Sequence, residues 1–363
     1  MKILIITWAF FPGKSPRSFR ATELAKQFSK EGHDVTVYAV LGNYDYSDFM
    51  KETGIIVKDA NLRWNFSTCD GNVKRLSFAK RVSNKILHPL IEYPDVEFVW
   101  KVKPILKKEK NVDLLITIAF PHPIHWGTAW AKRTMGDCFP KKWIADCGDP
   151  YAGNITEPHF FYFKYIERFW GKMADVIAVP IQEAKSAYEP VLREKMKVIP
   201  QGFDFSSVKL YDGALNNTCP HFAYAGVLYP GKRDPGRLLD YLTETDKDFV
   251  FTVYTKQIDF FEKYKEVLGE KLQVNTYIPR EQLLFELSKQ DFLINLTNPT
   301  LTQSPSKLID YALVKRPYMD VSVDFHEKVV FEQFMSGDYS GASKPIDLTL
   351  YDIESVAKLF LES

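Results

Sequence analysis

Residues 304–317 read S-P-S-K-L-I-D-Y-A-L-V-K-R-P. They follow an apolar run at 291–296 (D-F-L-I-N-L) and a polar loop at 297–303, a pattern that predicts strand, loop, then helix. Pro305 suits the first turn of that helix, because the N–H it lacks would have no partner there. Ser304 is an N-cap candidate. The free N–H groups of Ser306, Lys307 and Leu308 would point out of the helix start and attract an anion. Lys307 adds a positive charge. Asp310 lies one turn further in, on roughly the same face as Ser306 or Lys307. A phosphate at the helix start and a hydroxyl at the carboxylate, read together, fit a nucleotide or sugar phosphate better than an inorganic ion. An ordinary capped helix behind a strand is the competing reading.

Working outward, the same strand-loop-helix alternation fills the chain. Its 363 residues exceed what one core usually carries, which predicts two domains. The 47 basic and 46 acidic residues nearly cancel, unlike the balance of a dedicated nucleic-acid binder. Aromatics at 15% predict well-filled cores and an aromatic-lined surface. Cys69, Cys138, Cys147 and Cys219 form no C-x-x-C pair, so a reduced, cytoplasmic setting is the default. The start, M-K-I-L-I-I-T-W, reads as a buried first strand rather than a secretion signal. No window has the apolar length of a membrane span.

In the first half, residues 2–7 read as a buried parallel strand, 11–18 (F-P-G-K-S-P-R-S) as a loop, 19–31 as a helix and 35–40 as a second strand. Arg17 and Arg20 stand where open α/β sheets bind ligands, as well as where solvated helix-start residues stand. The stretch 44–93 resists reading. Within it, 73–90 carries Lys74, Arg75, Lys80, Arg81 and Lys85 among apolar residues and predicts a basic amphipathic helix. Such a helix either packs on the sheet or meets an anionic membrane or acidic acceptor. Residues 96–109 predict a helix that Pro104 kinks or interrupts. Strands are predicted at 112–119 and 143–147, and the loops at their carboxyl ends hold His122, His125 and Asp149. Spacing alone identifies no further ligand for the two histidines, so no metal site is expected. Further elements are read at 157–172 (helix), 174–179 (strand), 181–188 (helix) and 196–199 (strand).

The polar, broken stretch 202–217 reads as the domain boundary, and then the pattern restarts. Strands are predicted at 221–225, 250–254, 272–277, 291–296 and 317–321, with helices between them. Lys232 and Arg233 lie in the loop after the first of these strands. Domains of 1–203 and 204–349 follow, with a C-terminal helix in 350–363 packing back on the first domain. Neither domain contains G-x-G-x-x-G or a P-loop, which argues against dehydrogenase and nucleotide-hydrolase readings.

Together these pieces resemble the retaining glycosyltransferases of family 4, whose GT-B fold is α/β, with two Rossmann-like domains facing each other across a cleft. The resemblance runs through F-F-P-G-K-S-P-R-S-F-R, A-F-P-H-P-I-H, A-D-C-G-D-P-Y, V-I-P-Q-G-F-D, Y-A-G-V-L-Y-P-G-K-R-D-P-G and the S-P-S-K helix. It implies Gly13 and Arg20 near the donor, His125 beside the transferred sugar, and Asp149 in a site loop. It also implies Arg233 and Lys232 on the donor pyrophosphate after Tyr229, and Asp310 on the nucleotide ribose. Pro305 sets the register of the family's paired acids, seven residues apart, and the first falls on Thr302, which is not an acid. The S-P-S-K form resembles a subgroup acting on surface polysaccharides.

The implied reaction moves a sugar from a nucleotide-diphosphate sugar to a hydroxyl of a polysaccharide or lipid-linked oligosaccharide, with retention. No cofactor or metal is expected, because the basic groups would neutralise the diphosphate. Partners would be the donor, a glycan or lipid-linked acceptor and an anionic membrane at Lys74–Lys85, with no nucleic acid. The place would be the cytoplasm or the inner face of the cell membrane. An inactive glycan-binding or nucleotide-binding subunit and a sugar-nucleotide epimerase of the same fold are the alternatives.

Overall fold

The computed structural model describes residues 1–363 apart from 66, 69–70, 72–77, 154–158, 207 and 298–305, and gives the backbone alone at 78–80 and 306. The chain divides into two units. One is Met1–Asp204 with Leu350–Ser363, and the other is Phe205–Thr349.

The first unit is built on seven parallel strands: β1 (Lys2–Thr7), β2 (Asp34–Ala39), β3 (Ile56–Asp59), β4 (Leu114–Ala119), β5 (Lys142–Cys147), β6 (Val176–Val179) and β7 (Met196–Val198). Their order is β3-β2-β1-β4-β5-β6-β7. Strands buried on both faces call for nearly continuous apolar runs, and K-I-L-I-I-T and L-L-I-T-I-A are such runs, broken only by Lys2 at the start and by threonines. Because side chains alternate, Leu4 and Ile6 enter one core with Leu115, Trp143 and Trp170. Ile3 and Ile5 enter the other with Leu24, Phe28, Val356 and Phe360. That second core joins the helix Pro16–Lys30 to the C-terminal helix Ile353–Leu361. The chain returns to this unit through paired backbone bonds, Phe203 N–H to Tyr351 O at 2.9 Å and Ile353 N–H to Phe203 O at 3.0 Å. Gly202 permits the approach, since a Cβ there would stand 2.6 Å from Ile353 Cδ1.

The second unit has five parallel strands: β8 (His221–Ala225), β9 (Val250–Tyr254), β10 (Leu272–Asn275), β11 (Phe292–Leu296) and β12 (Tyr318–Val321), in the order β10-β9-β8-β11-β12. Phe222 is the centre of its core, stacked on Phe251 and Phe292 with centroids 4.7 and 4.8 Å away. The helix Ser306–Val314 follows β11.

Several sequence expectations are revised. The loop read at 11–18 is shorter, because Pro16 already occupies the first helical turn and the Ser15 side chain accepts from Ser18 N–H. The helix Phe98–Lys108 runs through Pro104 without interruption. The stretch that resisted reading contains the edge strand β3 and the helices Ser47–Thr53 and Phe78–Ile91. Lys74 and Arg75 of the basic segment lie outside the described residues. Its Val82, Ile86, Leu90 and Ile91 are exposed rather than packed on the sheet. No helix among the described residues is long and apolar enough to cross a membrane.

Candidate functional site

In the second unit the strand order reverses direction between β8 and β11. Open α/β sheets bind ligands outside the carboxyl ends of their strands at such a point. The loop after β8 closes on itself, with Tyr229 N–H donating to Arg233 O at 3.0 Å and Arg233 N–H to Tyr229 O at 2.8 Å. Gly231, at φ 69°, makes that turn in a conformation side chains disfavour. Lys232 projects into solvent. Arg233 turns its guanidinium over the Tyr229 ring, 5.6 Å from its centroid, and its buried Nε has no hydrogen-bond partner.

Lys307, in the first turn of the helix Ser306–Val314, meets this group. Its Nζ donates to Leu296 O at 3.2 Å and lies 5.0 Å from the Tyr224 ring centroid. Burial, then the Arg233 charge, pulls the Lys307 ammonium down to about 7, against a smaller opposite pull from Asp320. Among the described residues no carboxylate forms an ion pair with Arg233 or Lys307. Two cations, each against its own tyrosine ring, thus lie close enough beside a helix start for one charge to disfavour the other, an arrangement that an anion would relieve.

Asp310, one turn into the helix, accepts from Arg280 Nε at 2.9 Å and Nη2 at 2.6 Å, both on Oδ1. Burial raises its pKa, with Arg280 pulling the other way. Leu308 is half-buried. Thr302, Ser304 and Pro305 lie outside the described residues, and of Ser306 only the backbone is described.

The first unit reverses its strand order between β1 and β4. In the loop after β1, Gly13 N–H donates to Phe10 O at 2.9 Å, and Gly13 O accepts from Ser18 Oγ at 2.7 Å. Arg17 reaches across to Asp149, after β5, at 2.8 Å. Gly148 leaves room for it, because a Cβ there would fall 1.5 Å from the guanidinium. The Asp149 side chain keeps 62% of its surface exposed.

Two of the residues expected at the ligand, Arg20 and His125, are buried within the first unit. Arg20 is 3% exposed. It forks onto Asp146 at 2.9 and 2.7 Å and donates to the carbonyls of Ile199 and Pro200. Phe360 covers its face at 5.1 Å. His125 is 0% exposed. Its Nδ1 pairs with Thr117 Oγ1 at 2.8 Å, its Nε2 faces Cys147 Sγ at 3.4 Å, and Trp170 lies against the ring at 4.8 Å. Burial drives its pKa down to about 3, so it stays neutral. Sequence reading passed over Asp146 and Tyr224, and placed Arg280 only at the end of a loop, 277–280, expected to face the nucleotide base. The first two look like ordinary strand residues until their neighbours are known, and Arg280 reads as a helix-start residue.

No family profile matches the chain, and no curated protein matches its sequence. Solved structures do match in shape. A glycosyltransferase from Rickettsia africae superimposes with a TM-score of 0.61 at 14% identity, covering 99% of this chain and 97% of that one. HepE of Anabaena, solved in complex with UDP and glucose, gives 0.59 at 13% identity, covering 100% and 98%. A UDP-N-acetylglucosamine 2-epimerase from Listeria monocytogenes, so described as putative, gives 0.51 at 12%, covering 99% and 95%. At these identities the likeness shows the fold, which is GT-B, an α/β fold of two Rossmann-like domains.

Proposed function

We propose that the protein is a glycosyltransferase that moves a sugar from a nucleoside-diphosphate sugar to a hydroxyl of a glycan or lipid-linked acceptor. One observation carries this reading. Arg233 and Lys307 converge without a carboxylate partner at a helix start, with Asp310 one turn inside. The diphosphate occupies the cationic end, held also by the N–H groups of Ser306, Lys307 and Leu308. A ribose hydroxyl donates to the Asp310 carboxylate, which Arg280 orients. The likeness to HepE, solved with UDP, supports this choice of ligand class.

As the sugar–phosphate bond breaks, charge grows on the leaving phosphate oxygens. Arg233, Lys307 and the helix N–H groups stabilise it, and Lys232 adds a screened, solvent-exposed charge. Each such donor is worth about 3 kcal/mol at the transition state. These groups supply the neutralisation that a metal ion supplies elsewhere, so the proposed transfer needs none at the diphosphate. Retention at the anomeric carbon, transfer of a hexose and the donor role of Thr302 and Ser304 rest on the family resemblance. In the first unit, the exposed Asp149 paired with Arg17 takes the polar position at the strand ends. Arg20 and His125, being covered, do not touch sugar in this account, and Gly13 shapes the β1 loop. The helix Phe78–Ile91, with exposed apolar residues, provides contact with an anionic membrane surface on the cytoplasmic side.

The test is release of nucleoside diphosphate from a panel of nucleotide sugars, with and without glycan acceptors. Release that Arg233→Ala and Asp310→Ala each lower about a hundredfold supports the assignment. Release unaffected by both variants would sink it. Thr302, standing where the resemblance expects an acid, favours a second reading as a donor-binding subunit without turnover. Tight binding with no release for any acceptor would select that reading.

A further inference from the structure

The register of the first sheet sets Ala119, the last residue of β4, opposite Cys147, the last of β5. From Ala119 the chain turns through Phe120 and Pro121 to His122 and enters the helix Pro123–Met135, with His125 in its first turn. Both histidines therefore return over the end of β5, where the Cys147 thiol ends the strand. His125 Nε2 stands 3.4 Å from Cys147 Sγ. One ligand atom from each of His122, His125 and Cys147 lies within 4.8 Å of the other two. All three are buried, at 3%, 0% and 1% exposure. His122 Nδ1 is buried without a hydrogen-bond partner.

We propose that His122, His125 and Cys147 bind one thiophilic d10 cation, zinc(II) or copper(I), in the interior of the first unit. Two imidazoles and a thiolate are the donors that such ions select over harder cations. Ligand atoms on one zinc stand about 3.3–3.7 Å apart, given bonds of about 2.0–2.3 Å. The His125–Cys147 pair already has that spacing, and His122 closes the set by moving inward about 1 Å. The outer contacts fit as well. His125 Nδ1 meets Thr117 Oγ1 at 2.8 Å, and Trp143 Nε1 donates to the same oxygen at 2.8 Å. This fixes the ring so that Nε2 points at the thiol, as ligating histidines require. Binding converts the Cys147 thiol to thiolate and releases its proton to solvent. A trigonal set suits copper(I), and a water in the fourth position completes zinc. The ion would clip the loop after β4 to the end of β5. Its three ligands belong to the first unit, and the groups proposed for the diphosphate belong to the second. The competing reading is a metal-free hydrogen bond between the thiol and His125.

The test uses the full chain, reduced and stripped of metal, titrated with cobalt(II) as a zinc surrogate, then with zinc(II), and anaerobically with copper(I). The expected result is one equivalent bound, with a thiolate-to-cobalt charge-transfer band that zinc abolishes. Cys147→Ser should lose the band and bind at least about tenfold more weakly, and His122→Gln should also weaken binding about tenfold or more. A variant with Cys69, Cys138 and Cys219 all changed to Ser should keep the band. Should Cys147→Ser fail to fold by circular dichroism, the band in that triple variant still assigns the thiolate. Tighter binding of zinc or of copper(I) selects the ion, and either supports the site. Wild-type protein that binds neither ion stoichiometrically, or a folded Cys147→Ser that binds as wild type does, overturns the proposal.

Discussion

Lys307 links the proposed donor site to pH. Its ammonium, pulled down to about 7 by burial and by Arg233, is charged below that pH and neutral above it. The two phosphates of a nucleotide sugar stay ionised throughout. Affinity for such a donor should therefore fall several-fold as pH rises from about 6 to about 8.5, since a unit of pKa shift is worth about 1.4 kcal/mol. Calorimetric titration across this range should show the fall in wild type and a flat response in Lys307→Met. An equal slope in both would place the titration elsewhere. Arg233 and Asp310 could be named from the sequence, Asp310 because Pro305 sets its register and Arg233 because it follows the first strand of the second unit, and their role at the donor is the proposal made above. Arg20 and His125 were legible only as positions at strand ends. Their burial depends on Asp146, Cys147 and Phe360, partners distant along the chain that no local pattern announces.

Arg20 also acts at the scale of elements. It joins the helix Pro16–Lys30 to β5, to the residues after β7 and to the C-terminal helix. Arg20→Ala leaves Asp146 buried and uncompensated, and should cost about 3–5 kcal/mol in urea unfolding. A loss below about 1 kcal/mol would mean that the fork contributes little. Phe360→Ala should cost a similar amount by opening a cavity between those helices. Elements buried on both sides, such as β1 and β4, were plain from their continuous apolar runs. The edge strand β3 was not, because I-V-K-D is short, partly exposed and mixed in character. Pro16 was read as loop although a proline in the first helical turn follows the same rule as Pro305. The helix Phe78–Ile91 predicts binding to anionic vesicles that weakens as salt rises, measured by sedimentation. No binding at low salt would make its exposed apolar residues irrelevant to membranes.

For the whole molecule, the restart of the α/β pattern after residue 217 made two Rossmann-like domains legible, because strand and helix periods survive without knowledge of partners. The internal polar network of the first unit was not legible, since it depends on burial. Glu167 is pushed up to about 7 mainly by burial, with Ala152 N–H donating to it at 3.2 Å. Its contribution to stability is present below the unfolded pKa near 4.5 and is lost as pH rises through about 7. His122 and His125, held neutral by burial, run the opposite way and lose stability as pH falls below about 6.5. The Glu167→Gln variant isolates the first effect. Relative to wild type it should gain stability from about pH 5 to about pH 7.5, on the order of 3 kcal/mol. A constant difference would contradict the assignment.

The central claim is that the second unit binds the diphosphate of a nucleotide sugar between Arg233, Lys307 and the helix start. Calorimetric titration of UDP, GDP and dTDP, with and without magnesium, into wild type and Arg233→Ala tests it most directly. The account predicts that one diphosphate binds wild type at micromolar strength, about −8 kcal/mol, without needing magnesium. It also predicts that Arg233→Ala weakens that binding about a hundredfold, the loss of one charged donor. Binding that is equal in the two proteins, or absent for all three diphosphates at millimolar concentration, would contradict it.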